Sequence, residues 1–341
     1  PALTTLPFGS TLAAAEQQQK PSLQRAMRYT SRPADNARQW QEDVRARLYR
    51  LLKIDDLLRA KDTIAFHPKE LYCLDRRSYR VKELELNSTP RRRIRVIVTT
   101  PTSQAGPFPA VVCIGGHGSN LYSPYDQHTV DKTNKRNQSD QIYKGFATIL
   151  AKKGYVTIST TVSRHEVYED GRLLMGERLW DLIRCVDYLE SMPEVDHARI
   201  GCGGLSLGGE MAMWLGAMDQ RIVACVSAGF LTTMDHMEQN HCMCWKFAGL
   251  RDIVDFADIY SLVAPRALQC QNGILEPPTQ FNVPLARRTM QEIRTIYSDM
   301  EQPENVTLDV HAGAHEIDLP GLVYFFEKHL YDNRWSGSDK K

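Results

Sequence analysis

The chain of 341 residues lacks a surplus of either charge. Lys and Arg number 42 against 41 Asp and Glu. A basic field for nucleic acid or an anionic membrane surface is therefore not expected. No apolar run approaches the roughly 18 residues that cross a bilayer as a helix. Thr11–Ala15 is rich in small residues but has neither a basic start nor a long apolar core, so it does not read as a signal peptide. The eight cysteines are not spaced as a disulfide framework. Positions 113, 185, 202, 225 and 270 fall inside apolar strand or helix patterns, the usage of small buried hydrophobes in a reducing compartment. Internal repeats are absent. No P-loop or complete G-x-G-x-x-G occurs, which removes the common nucleotide cradles.

What is present is an alternation of apolar runs and helical stripes. Tyr79–Leu86 and Arg93–Val98 alternate in polarity around Asn87–Pro90 and predict a hairpin. A continuous apolar run follows at Pro109–Ile114, as expected of a strand covered on both faces, and further strands are expected at Tyr155–Thr160, Arg199–Gly203, Ile222–Ser227, Ala267–Gln271 and Val306–Val310. Between them lie helical stripes at 142–150 (with Gly154 as C-terminal cap), 179–189, 209–218 and 320–330, where Asp318 is a cap. This βαβ spacing predicts an α/β fold with a mostly parallel central sheet flanked by helices. Trp40, Val44, Leu48, Leu51 and Leu52 mark an N-terminal packing helix within 37–52, preceded by a Gln-rich surface arm over 1–36. The expected organisation is an extension over 1–74, a main domain over 75–331 and a polar tail over 332–341. An insertion at 229–262 interrupts the main domain and ends in a helix near Asp252–Leu262.

The chemistry is carried by Gly204-Leu205-Ser206-Leu207-Gly208, set between a strand and a helix. In this G-x-S-x-G pattern the serine sits on a turn so tight that its neighbours two residues away must lack bulk. A serine hydroxyl needs a base, and the base needs an orienting acid. Downstream, His315 in Gly313-Ala314-His315-Glu316 is the favoured base, with His311 second and His329 in the closing helix. Glu276, after the strand Ala267–Gln271, is the favoured acid, and Asp235 is the alternative. Backbone amides for an oxyanion are expected from Leu207 and from His117 in Gly115-Gly116-His117-Gly118, with Gly116 as the second choice.

These stretches, together with Leu262-Val263-Ala264-Pro265-Arg266-Ala267-Leu268, resemble the α/β-hydrolase superfamily over about residues 75–331. The likeness is nearest to its dienelactone-hydrolase and acetyl-xylan-esterase branch. It implies a serine carboxylesterase without a cofactor. The chain departs from that branch in having Gly115 where a histidine often stands and a glutamate acid where most members have aspartate. Competing readings are a serine peptidase, a dienelactone-type hydrolase, or a binding module on the same fold. The expected substrate is a short acyl group on a carbohydrate or another polar alcohol. Loops 119–137 and 229–262 are expected to rim the site, with Tyr122, Tyr125, His128, Arg136, Asn240 and Trp245 as candidate contacts, and Arg164 after the strand Tyr155–Thr160 faces the same rim. His236, His241, Cys242 and Cys244 stand close together, but C-x-C without a second pair is a poor zinc spacing, so no metal is expected. Oligomeric state is not legible.

Overall fold

The computed structural model describes residues 25–130 and 138–331. Its apolar runs pair into one nine-stranded sheet. The strands are β1 (Lys69–Asp75), β2 (Tyr79–Asn87), β3 (Arg93–Pro101), β4 (Phe108–Ile114), β5 (Val156–Thr160), β6 (Val195–Leu205), β7 (Ile222–Ala228), β8 (Ala267–Gly273) and β9 (Val306–His311). Their order across the sheet is β1-β2-β3-β5-β4-β6-β7-β8-β9. The pairs from β1 to β3, and β3 with β5, are antiparallel; every pair from β5 to β9 is parallel. The mostly parallel sheet expected from the sequence is thus present. β4, β5 and β8 are buried along their whole length, and β4 is apolar throughout, as expected of a strand covered on both faces.

The helices are α1 (Ala34–Leu51), α2 (Asp55–Ala60), α3 (Phe146–Lys152), α4 (Leu174–Glu190), α5 (Leu207–Met218), α6 (Met234–Asn240), α7 (Leu250–Ile253), α8 (Phe256–Ser261), α9 (Val283–Asp299) and α10 (Leu319–Phe326). They cover both faces of the sheet, over two apolar cores. Every residue of α5 is buried, consistent with a helix that is apolar on all sides. None of the helices among the described residues is long and apolar enough to cross a membrane.

The structure adds to the sequence reading in three places. From Arg25 onward the arm is tied to the main domain. Ala26 and Met27 N–H donate to the Asp252 and Ile253 carbonyls at 2.9 and 2.8 Å, and Arg25 is paired with Asp258 and Glu292; residues 1–24 lie outside the described part. The single helix expected near Asp252–Leu262 is two short ones. Asp255 leaves the helical conformation and caps α8 through a reciprocal box with Asp258. Finally, β1 and α9 have no counterpart in the sequence reading. The polar tail 332–341 lies outside the described residues.

Helix α1 buries Ala37, Trp40, Gln41, Val44, Arg45 and Leu48, a stripe at helical spacing. Two of these are polar and reach backbone oxygens that α5 and α8 leave open at their ends. Arg45 donates to the Ala217 and Leu262 carbonyls at 2.8 and 2.5 Å, and Gln41 to those of Ser261 and Ala264. The extension therefore holds the far end of the helix that begins at Ser206.

Candidate active site

Ser206 stands at the junction of β6 and α5 with φ 63° and ψ −125°, a conformation costly for any residue with a side chain. The flanking glycines are explained by close backbone approach. A Cβ on Gly204 would lie 2.5 Å from the Gly208 carbonyl oxygen and 2.6 Å from that of Ile114, and one on Gly208 would overlap the same Ile114 oxygen. The turn is anchored by Ser206 N–H donating to Ala228 O at 2.9 Å. It leaves the serine half-buried, at the carboxyl edge of the sheet.

His315 and Glu276 reach that edge from the loops after β9 and β8. The loops are stapled to each other: Ile274 N–H donates to His311 O at 2.9 Å and Leu275 N–H to Gly313 O at 3.1 Å. Gly273 permits this, because a Cβ there would strike the Gly313 and Ala314 carbonyls. The outcome is a 2.8 Å contact between His315 Nδ1 and Glu276 Oε1. The Glu276 side chain is wholly buried, and its other oxygen has no hydrogen-bond partner. Such a carboxylate accepts the Nδ1 proton and leaves Nε2 with its lone pair free. The ring lies over Gly229, whose Cβ, were there one, would be 2.8 Å from His315 Cε1. Gly229 directly follows Ala228, the residue that holds Ser206. Phe281 stacks on the ring at 5.5 Å and fixes its plane.

Asp235 is elsewhere. It lies in the exposed first turn of α6, paired with Arg251. His311 accepts from Gly313 N–H at 3.2 Å, and His329 packs on Phe325 at 4.7 Å.

Leu207 is the first residue of α5, so its N–H has no intrahelical partner. Gly116 N–H is not available as an oxyanion donor, since it donates to the Tyr143 hydroxyl at 2.7 Å. His117, the other expected donor, lies on the turn after β4 and lines the cavity beside Ser206.

A cavity of about 190 Å³ opens at the serine, lined by His117, Ser206, Leu207, Glu210, Phe230, Met237, His241, Cys242, Gln280 and Phe281. Of this set, the sequence singles out His117, Ser206 and Leu207 as site residues, and offers His241 and Cys242 as metal candidates or as part of an insertion over the site. Glu210 is fully buried beneath the serine, and burial pushes its carboxyl up to about 8 despite Arg178 nearby. Burial, with Arg178 and two other histidines, brings the His117 ring down to about 4, so it is neutral at physiological pH. A larger cleft of about 830 Å³ runs between Arg25, Arg28, α6 and α9 and contains neither the serine nor His315.

The expected rim aromatics are core. Tyr122 is buried, with its hydroxyl donating to Glu83 at 2.8 Å and accepting from Arg95. Tyr125 is fully buried, and Trp245 packs edge-on against Phe256 behind the cavity wall. Arg164 is taken up by Glu177 and Asp181 at 2.7 and 3.1 Å. For the aromatics the reason is that the segments after β4 and β7 fold back on the main domain, where large rings gain more by burial than by facing water; Arg164, after β5, is instead held by its two carboxylates. Of the other rim residues, His128 is exposed, while Arg136 and the Asn240 side chain lie outside the described part.

The four-residue group weighed as metal ligands is also divided. His236 donates to the Gln280 carbonyl at 2.8 Å, and His241 packs on Phe281. Cys242 and Cys244 instead meet His165 and His117. All eight cysteines are free thiols.

Residues 14–315 match the model of a family described as "Abhydrolase family" (Abhydrolase_7). The curated protein "Putative hydrolase YtaP" of Bacillus subtilis (strain 168) is 27% identical over 207 residues, 54% of this chain and 66% of its own length. The acetyl esterase Axe7A of Xylanibacter ruminicola is 22% identical over 209 residues, 58% of this chain and 44% of its own. The matches thus span less than two thirds of either relative. Among solved structures, the methylesterase BT1017 aligns with a TM-score of 0.68 at 19% identity, over 88% of this chain and 65% of that one. An acetyl xylan esterase from Paenibacillus sp. R4 aligns with a TM-score of 0.58 at 16% identity, over 82% and 94%. At such identities the likeness concerns the fold.

Proposed function

The chain belongs to the Abhydrolase family, and from that premise we propose that it is a serine carboxylic ester hydrolase removing short acyl groups from a carbohydrate or similar polar alcohol. The observation that carries the reading is the 2.8 Å contact of His315 with buried Glu276, seated over the residue next to the one that anchors strained Ser206. In this reading His315 Nε2 takes the Ser206 proton as Oγ attacks the ester carbonyl. The N–H groups of Leu207 and His117 receive the charge on the carbonyl oxygen. His315 then protonates the departing alcohol, and a water molecule, deprotonated by the same nitrogen, releases the acyl group from Ser206.

The cavity supports the short acyl group. At about 190 Å³, walled by Phe230, Met237 and Phe281, it suits a few carbon atoms. Among its described lining residues there is no Lys or Arg, so nothing there favours an acid side chain on the acyl group. The polar alcohol rests on the relatives alone, two of which bear the names acetyl esterase and acetyl xylan esterase.

The test is a set of p-nitrophenyl esters of rising chain length beside acetylated sugars, with a fluorophosphonate probe for the serine. Acetate is expected to be hydrolysed faster than octanoate, acetylated sugars to be turned over, and Ser206 to be labelled. Faster hydrolysis of octanoate, or cleavage of amides with acetylated sugars untouched, would overturn the assignment.

A further inference from the structure

Beside the cavity, four side chains that the sequence scatters widely come together. His117 lies on the turn after β4, His165 in the loop after β5, and Cys242 and Cys244 flank Met243 in the insertion after β7. Their ligand atoms all lie within 4.8 Å of one another. His117 Nε2 is 3.2 Å from Cys244 Sγ, and His165 Nε2 is 3.3 Å from Cys242 Sγ. The two rings stack at 5.4 Å.

We propose that these four side chains form a structural zinc site that ties the three loops of the active-site mouth together. Zinc binds sulfur at about 2.3 Å and imidazole nitrogen at about 2.0–2.1 Å, and a tetrahedron of that size has edges of about 3.3–3.8 Å. The two nitrogen–sulfur separations lie just below and at the lower end of that range, while the group as a whole spans up to 4.8 Å, so its widest edge closes by about 1 Å around an ion. Four protein ligands fill the coordination shell and leave no position for water or substrate, which makes the site structural. Cys242-x-Cys244 is a short spacing, but the second pair it lacks in sequence is supplied by the two histidines.

The chemistry of the surroundings fits. Binding Zn²⁺ exchanges two thiol protons for one metal ion, so the complex of two thiolates and two neutral imidazoles carries no net charge. No electron is transferred. Arg178, a buried guanidinium, has Nη1 3.4 Å from Cys244 Sγ, the partner expected to hold a ligating thiolate in place. The other Arg178 amino group is fixed by the Arg164 carbonyl at 2.5 Å, next to His165. The ion would join the turn whose His117 lines the cavity beside Ser206 to the insertion whose Cys242 lines it too, and set the mouth without touching substrate.

Metal content tests this apart from any esterase activity. The untagged full chain is stripped with a chelator under reducing conditions, then dialysed against zinc or cobalt. About one ion per chain is expected. Cobalt should give the intense visible bands of a tetrahedral site together with thiolate charge transfer. Five of the thiols are buried, leaving Cys73, Cys242 and Cys244 to react, and zinc should protect the last two from a thiol reagent. His165→Ala and Cys242→Ser should each lose stoichiometric uptake, and zinc should raise Tm in the wild type but not in these variants. Substoichiometric metal, the weak spectrum of octahedral cobalt, unprotected thiols, or a Cys242→Ser variant that keeps the cobalt bands would each overturn the site and leave two plain His–Cys hydrogen bonds.

Discussion

The two sides of the active-site mouth are built in opposite ways. On one side stands the elbow, five consecutive residues from Gly204 to Gly208, in which sterics alone decide the spelling. On the other stand His117, His165, Cys242 and Cys244, whose contacts join residues 127 and 77 positions apart. The elbow is strained and local; the opposite wall is assembled from three loops, each of which could shift alone. The tight turn is held by its own glycines and by the two strands beside it, through Ala228 and Ile114. A wall made of separate loops needs a cross-connection, and the Cys–His cluster occupies the place for one.

The sharpest way to break this comparison is at the elbow. Ser206→Ala should cost on the order of a million-fold in kcat, as removal of a nucleophile from a cooperating set does. It should leave Tm within a few degrees, because alanine meets the same backbone geometry with one atom fewer. Rate and thermal unfolding measured on the same preparation check both halves. Activity above a few per cent of wild type would remove Ser206 from the chemistry.

The second effect separates the two carboxylates. Glu276→Gln keeps the shape but loses the charge facing His315 Nδ1, and a loss of about 10⁴-fold in kcat is expected by analogy with the aspartate of serine proteases. Asp235→Asn touches an exposed pair with Arg251, and rates should stay within about twofold. Steady-state kinetics of the two variants, side by side, decide the matter; the reverse pattern would move the acid to α6.

The same contrast explains what could be read in advance. β4 to β8 were legible because burial on both faces favours apolar and small residues, and the half-exposed edge strand β9 because Val306, Leu308 and Val310 alternate with polar residues. The elbow was legible because its glycines have steric reasons that act over five residues. β1 was missed because Lys69–Asp75 is an edge strand with alternate residues in water, so its charges masked it. α9 was missed although Asn282 caps it and Pro284 opens it, which are start signals. Tyr122, Tyr125 and Trp245 were assigned to the rim because they lie in loops. A large aromatic in a long loop is more useful as the loop's own core, and that is where they are. Phe230, Met237, Gln280 and Phe281 carry no local mark at all. Their role exists only once β7, α6 and the segment before α9 converge.

The smallest effect expected concerns Glu210, one turn into α5 and between the two sides of the mouth. Its carboxyl is fully buried and stands at about 8 rather than at the ordinary 4.5, because desolvation outweighs the attraction of Arg178. Its Oε1 has no hydrogen-bond partner. The sign follows from proton counting. Below about pH 4.5 folded and unfolded chains both hold the proton. Between 4.5 and 8 the folded chain keeps it while the unfolded chain has lost it, so stability falls as pH rises through this window. Above 8 the folded carboxyl ionises too, and the full penalty, on the order of a few kcal/mol, is present. The helix N-terminus reduces it, since the first turn of α5 favours negative charge. Glu210→Gln is neutral at every pH and nearly the same shape. Its Tm should match wild type near pH 5 and exceed it increasingly toward pH 9. Ester hydrolysis should change in parallel: an ionised Glu210 in the wall shared with Ser206 and Leu207 opposes the charge developing on the substrate oxygen, so wild-type kcat should decline above about pH 8 while the variant's declines less. Parallel Tm profiles for the two proteins from pH 5 to 9 would show that Glu210 is already ionised in the folded chain and that Arg178 and the helix N-terminus hold it so.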